Sequence, residues 1–104
     1  MGLLLYNGGT VCNDYFSDNS ADAICKKLGF AQHNQWTNEE EWSIQDDYDI
    51  RLDNVRCSNG DWDSCTYSRI NNCGHGEDIF LQCDNSLSIV RGESTIETLA
   101  AINI

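Results

Sequence analysis

Apolar and polar residues fall into short runs separated by turn-forming residues, and each run predicts a short element. Leu3-Leu4-Leu5-Tyr6 is apolar and is closed by Asn7-Gly8-Gly9, a strong turn signal, after which Thr10-Val11-Cys12 resumes with strand-forming residues. This reads as a β-hairpin. Ala21, Ile24, Cys25 and Leu28 recur at spacings of three and four, which places them on one helical face. Asp18, Asn19 and Ser20 are all good N-caps for that helix, Lys26 and Lys27 suit its last turn, and Gly29 suits the left-handed position beyond it.

From residue 31 to 49 no period holds. Trp36, Trp42, Ile44 and Tyr48 are scattered among Glu39-Glu40-Glu41 and Asp46-Asp47, which predicts a long loop with some extended structure and a solvated acidic face. Residues 50–57 alternate apolar and polar and predict a strand that leads into the turn Ser58-Asn59-Gly60-Asp61. Ile79-Phe80-Leu81-Gln82-Cys83 predicts a closing strand. The whole reads as an α+β domain: a small disulfide-rich unit with a short curved antiparallel sheet, one short helix and long loops. Composition changes after Cys83, where cysteines and aromatics stop, so residues 2–84 form the domain and residues 85–104 a tail.

At 104 residues the chain is long enough for one domain. Six cysteines in polar surroundings point to a disulfide framework and an oxidising compartment, with fifteen pairings open on spacing alone. The formal net charge of -11 argues against nucleic acid and against an anionic membrane surface as the main partner, and no stretch approaches the length of a transmembrane helix, so direct membrane insertion is not expected. It leaves two uses for the carboxylates, which are solubility and a hard cation held by clustered oxygens. The apolar start is too short for a signal peptide, so secretion implies a removed signal or a longer parent chain.

Four stretches in order carry a family pattern: Gly9-Thr10-Val11-Cys12-Asn13-Asp14, Asp22-Ala23-Ile24-Cys25-Lys26-Lys27-Leu28-Gly29-Phe30, Leu52-Asp53-Asn54-Val55-Arg56-Cys57, and Asn72-Cys73-Gly74-His75-Gly76-Glu77-Asp78. Together they resemble the scavenger receptor cysteine-rich domain in its six-cysteine form, Phe30 standing where the eight-cysteine form has another cysteine. The resemblance implies an extracellular, non-catalytic module, secreted or part of an ectodomain, that binds protein or polyanionic ligands. It implies the bridges Cys12–Cys73, Cys25–Cys83 and Cys57–Cys65.

It also implies a Ca²⁺ site built from Asn13, Asp14 and Glu77, with Asn13 in place of an expected Asp and so one negative charge fewer. A second, weaker site would use Asp53 and Asp61. Arg51, Arg56 and Arg69, with Trp36, Trp42 and Trp62, are candidate ligand contacts, although at least two of the tryptophans are expected to fill the core. His33 and His75 lack zinc spacing, and Asp78 is expected to be a structural acceptor.

The chain departs from the family at its start, because residues 3–6 resemble the family's second strand. Ser88-Ile89-Val90-Arg91-Gly92 resembles the missing opening strand. It would begin a following repeat, or residues 87–92 would pair with the open sheet edge of this or a neighbouring chain. Two further readings follow: a structural subunit of an extracellular assembly linked through its tail, or an accessory domain of a larger enzyme such as a protease or amine oxidase.

Overall fold

The computed structural model describes residues 2–41, 45–84 and 102–104. Strand β1 (Gly2–Tyr6) turns through Asn7 and Gly8, both at positive φ, into β2 (Gly9–Val11). This is the two-residue hairpin that the Asn-Gly pair predicts. Helix α1 (Asp18–Lys27) follows, then β3 (Gln32–Thr37), β4 (Ile50–Cys57), β5 (Cys65–Ser68), β6 (Phe80–Asp84) and β7 (Ile102–Asn103). Single 3-10 turns at Gln45–Asp47, Trp62–Ser64 and His75–Glu77 shape the connections.

The strands form one sheet in the order β3-β6-β1-β2-β4-β5, with β7 added on β1. Most pairings are antiparallel, but β2 with β4 and β1 with β7 are parallel. Strand β1 is apolar without alternation because both its faces are covered. Leu4 joins the main core with Val11, Ile24, Leu52, Val55, Ile79 and Leu81, while Leu3 and Leu5 meet Phe80 and Tyr48 on the other face.

The helix starts one residue earlier than the sequence pattern suggests. Ser17 is the N-cap, and its backbone N–H donates to Ser20 Oγ at 3.2 Å. Ser20, expected as a cap, is instead buried and donates its hydroxyl to the Val55 carbonyl at 2.9 Å, which ties the helix to β4. Ala21, Ile24 and Cys25 are buried as their spacing implies, and Gly29 takes φ 96° just past the helix.

The stretch expected to be loop contains β3, which has Trp36 as its one large apolar residue. It pairs with β6 over five positions, from Gln32 opposite Asp84 to Thr37 opposite Phe80. Pairing and packing override a weak local pattern here. β3 and β5 close the two ends of the sheet, where mostly polar strands discourage edge-to-edge aggregation.

Three bridges lock this arrangement: Cys12–Cys73, Cys25–Cys83 and Cys57–Cys65, with sequence separations of 61, 58 and 8. Cys25–Cys83 fastens the helix to β6 through the core. Cys57–Cys65 closes the β4–β5 hairpin at directly opposed positions. In the chain-entropy picture a loop of this longer kind contributes about 4 kcal/mol and the short one about 2–3 kcal/mol.

Replacing Cys25 and Cys83 together by Ala should therefore lower unfolding free energy by about 4 kcal/mol in urea titrations. Gly9→Ala tests the close approach of β2 and β4. A Cβ there collides with Arg51 Cγ and comes within 2.8 Å of the Asp49 carbonyl, and the latter is backbone that cannot swing away. Loss of about 1–3 kcal/mol is expected by the same titration.

Candidate cation site beside the Cys12–Cys73 bridge

The site begins with a turn. The Asn13 carbonyl accepts the Phe16 N–H at 3.0 Å, and Tyr15 closes the turn at φ 60°. Phe16 anchors one side of it in the core, edge-on to Trp36 with ring centroids 4.8 Å apart. Cys12, fully buried, anchors the other side through its bridge to Cys73. Asp14 is thus held between two fixed points.

The bridge delivers the second segment. Beyond Cys73 the chain makes the His75–Glu77 turn and then pairs Asp78 opposite Cys12. Asp78 is fully buried and expected to be structural. Its Oδ2 lies 2.8 Å from His75 Nδ1 and accepts from Gln45 Nε2 at 3.0 Å. This polar cluster fixes the turn that carries Glu77. Glu77 uses Oε2 to accept the Gly74 N–H at 3.1 Å.

The third segment is β4. Its ladder with β5 is irregular between Asp53 and Arg56, where Asn54 adopts φ 56°. Asn tolerates this left-handed conformation better than most residues, and bulges re-aim side chains beside sites. Asp53 accepts the Asn54 N–H at 2.8 Å and is only 3% exposed.

Carboxylate oxygens of Asp14 and Glu77 lie within 4.8 Å of each other and of Cys73 Sγ, and one of Asp53 lies within 4.8 Å of both sulfurs of the bridge. Asp14, Asp53, Asn54, Tyr15 and Asn72 line a small cleft there. Burial pushes the Asp53 carboxyl above the ordinary Asp range. The Asn54 N–H opposes this, but the charge of Asp14, a hydrogen bond with it and the charge of Glu77 all reinforce it. Asp14 beside Glu77, and Asp53 hydrogen-bonded to Asp14 on the same bridge, make an arrangement that a cation relieves. The donors are all oxygen, which suits a hard ion, and the two sulfurs are spent in the bridge.

The sequence assigned Asp53 to a second site with Asp61. The fold instead places Asp53 with Asp14 and Glu77, and Asp61 lines a separate cleft with Lys26, Lys27, Trp62 and Asp63. Asn13 is half-buried at the head of the turn. The other candidates are dispersed. Arg51 and Arg69 line an open cleft with Tyr6, Tyr48 and His75, Arg51 paired to Asp49 at 3.5 Å and Arg69 donating to Tyr6 Oη at 3.4 Å.

Arg56 lies over the Tyr15 ring, 4.1 Å from its centroid, at the lip of the acidic cleft, an adjacency that sequence spacing gives no hint of. Trp36 and Trp62 are half-buried against the core, and Trp36 also donates to Asp18 at 3.0 Å. Trp42 and residues 87–92 lie outside the described residues.

The sequence profile of the scavenger receptor cysteine-rich domain matches residues 4–84, a span that holds all six cysteines and the three acidic residues of the site. The chain belongs to the scavenger receptor cysteine-rich family. Domains of this family are extracellular, non-catalytic protein-interaction modules.

Human lysyl oxidase homolog 2 is 31% identical over 86 residues, covering 77% of this chain and 11% of that protein. Human lysyl oxidase homolog 4 is 34% identical over 79 residues, covering 72% and 10%. The chain thus spans about a tenth of the length of these relatives. Among solved structures, the crystal structure of the dimeric form of the SRCR domain of mouse MARCO superposes with a TM-score of 0.61 at 28% identity, over 80% of this chain and 85% of that one. No helix among the described residues is long and apolar enough to cross a membrane.

The raised Asp53 carboxyl makes a signed prediction. Between the unfolded and native values, the native state keeps a proton that the unfolded chain has released. Stability therefore falls as pH rises through that window and stays lowered above it. Asp22 runs the opposite way. Burial raises it, but the His33 N–H and ring outweigh burial and hold it below its ordinary value, so its stabilisation is lost as pH falls through the native value. In cation-free buffer Asp53→Asn should raise the melting temperature at pH 7 and leave it unchanged at pH 3, where Asp53 is already neutral. Asp22 is common to both proteins and drops out of the difference.

Proposed function

We propose that this domain is a recognition module of a secreted protein or an ectodomain, and that it binds protein or polyanionic ligands with Ca²⁺ held by Asp14, Asp53 and Glu77. The observation that carries the reading is the meeting of these three carboxylates on the Cys12–Cys73 bridge, with Asp53 buried and its charge opposed by the other two. Asn13 adds an amide oxygen at the head of the same turn. Calcium takes six to eight oxygens, so backbone carbonyls, water and a group from the ligand complete its shell.

The electrostatics favour a calcium-dependent mode over direct attraction. Seventeen acids against six bases repel an anionic partner from most of the surface. A divalent ion at this cleft converts its most negative spot into one that attracts a carboxylate or sulfate. Arg56, stacked on Tyr15 at the lip, adds a second positive group beside it. Stacking leaves the edge N–H groups of a guanidinium free to donate.

Calorimetric titration with CaCl₂ should give a Kd in the range of about 0.1–1 mM, as for extracellular modules. Glu77→Ala and Asp53→Asn should each weaken it by about tenfold or more. Retention on immobilised dextran sulfate should require calcium and be abolished by EDTA. A parent chain that gives no calcium-dependent heat removes the cation reading and leaves the family assignment untouched.

A further inference from the structure

The two edges of β1 are used differently. On one edge the Leu4 N–H donates to the Ile79 carbonyl at 3.0 Å, and Tyr6, two residues on and so facing the same way, pairs with Gly9 of β2. On the opposite edge the Leu5 carbonyl accepts the Ile104 N–H at 2.8 Å. Among the described residues, β7 is the only strand on that edge, with Leu4 opposite Ile102 and Leu5 opposite Asn103. Leu4 and Leu5, the residues it pairs with, are both buried, and Ile104 packs against the main core that contains Leu4. Without β7, the most apolar strand of the molecule presents an open ladder edge.

We propose that this edge of β1 is a strand-acceptor site and that residues 102–104 are a donor strand exchangeable between two copies of the chain. The pairing is parallel, so no tight hairpin ties donor to acceptor. Strand β6 ends at Asp84, three positions beyond the Leu81 that faces Gly2, whereas β7 enters level with Leu4 on the far side of β1. Closing that path within one chain needs roughly 20 Å, from five residue rises and two strand spacings.

The connection, residues 85–101, supplies 17 residues. Extended, these reach about 60 Å, further than the 42 Å longest dimension of the molecule. The same strand therefore reaches its own β1 or that of a neighbour and makes the same contacts in either. The balance rests on the effective concentration of the tethered strand, about millimolar for tethers of this order of length. The full chain is accordingly a monomer at micromolar concentration, and a shorter connection forces exchange.

Deleting residues 86–100 leaves two linking residues, whose three Cα–Cα steps span at most about 11 Å and cannot close within one chain. Light scattering at about 50 μM, well under the effective concentration, should then report a dimer with three intact disulfides per chain. Adding Ile104→Pro, which removes the N–H that Leu5 accepts, should return it to monomer. A deletion variant that stays monomeric and as stable as the parent overturns the proposal, as does a dimer indifferent to Ile104→Pro.

The second arm does not depend on the deletion folding. Ile104→Pro in the full chain should lower Tm by about 5 °C. A synthetic peptide of residues 98–104 at millimolar concentration should restore it, while a scrambled peptide should not. An unchanged Tm, or no rescue by the peptide, rules out a strand-acceptor edge. None of these outcomes bears on calcium binding.

Discussion

The covalent link between Cys12 and Cys73 is the constraint on which both fold and site depend. It joins the end of the first hairpin to a segment 61 residues away, and the ladder contact between Cys12 and Asp78 continues the junction in backbone. Hydrophobic burial alone does not specify that meeting. The residues around it are Asn, Asp, Gly and His, which gain little from leaving water. Bringing three carboxylates together is repulsive in the absence of a cation, and the crosslink holds them there regardless. The charge of these carboxylates therefore works against the stability of the fold at this point, because burial and like charges both disfavour the ionised form.

Elsewhere the molecule is economical. One helix, one sheet and a modest apolar cluster bury β1 on both faces, and the Cys25–Cys83 bridge runs through that cluster. Polar groups taken into the interior are mostly matched. Ser20 ties the helix to β4, and His75 with Gln45 satisfies one oxygen of the buried Asp78 carboxylate. The aromatic residues work at the boundary: Trp36 edges against Phe16, Trp62 stacks on Tyr67 at 5.6 Å, and each keeps a polar or cationic neighbour outside, Asp18 for Trp36 and Lys27 for Trp62.

The acidic excess is spread over the surface, but its consequences differ by place. Exposed pairs such as Arg51 with Asp49 are worth little in water. Asp22 is held ionised by His33, and Asp53 is pushed toward neutrality by burial and its neighbours. The sign of each effect follows from what surrounds the carboxyl, not from the net charge of the chain.

Much of the architecture was legible from residue order. The Asn-Gly hairpin, the helix face of Ala21, Ile24 and Cys25, and the alternating strand at residues 50–57 are local patterns, and local patterns survive translation into backbone. The family pattern supplied the bridges, which spacing left open. Strand β3 was not legible, because a strand of Gln, His and Asn forms only when β6 is already beside it.

The grouping of Asp53 with Asp14 and Glu77, and the stacking of Arg56 on Tyr15, were hidden for the same reason. Each joins residues about forty positions apart or joins segments through a disulfide and a bulge. The sequence by itself determined which residues can make strands, turns, bridges and charge. Only the tertiary structure decided which carboxylates share a cleft and which edge the last strand fills, since those depend on distances that no periodicity along the chain encodes.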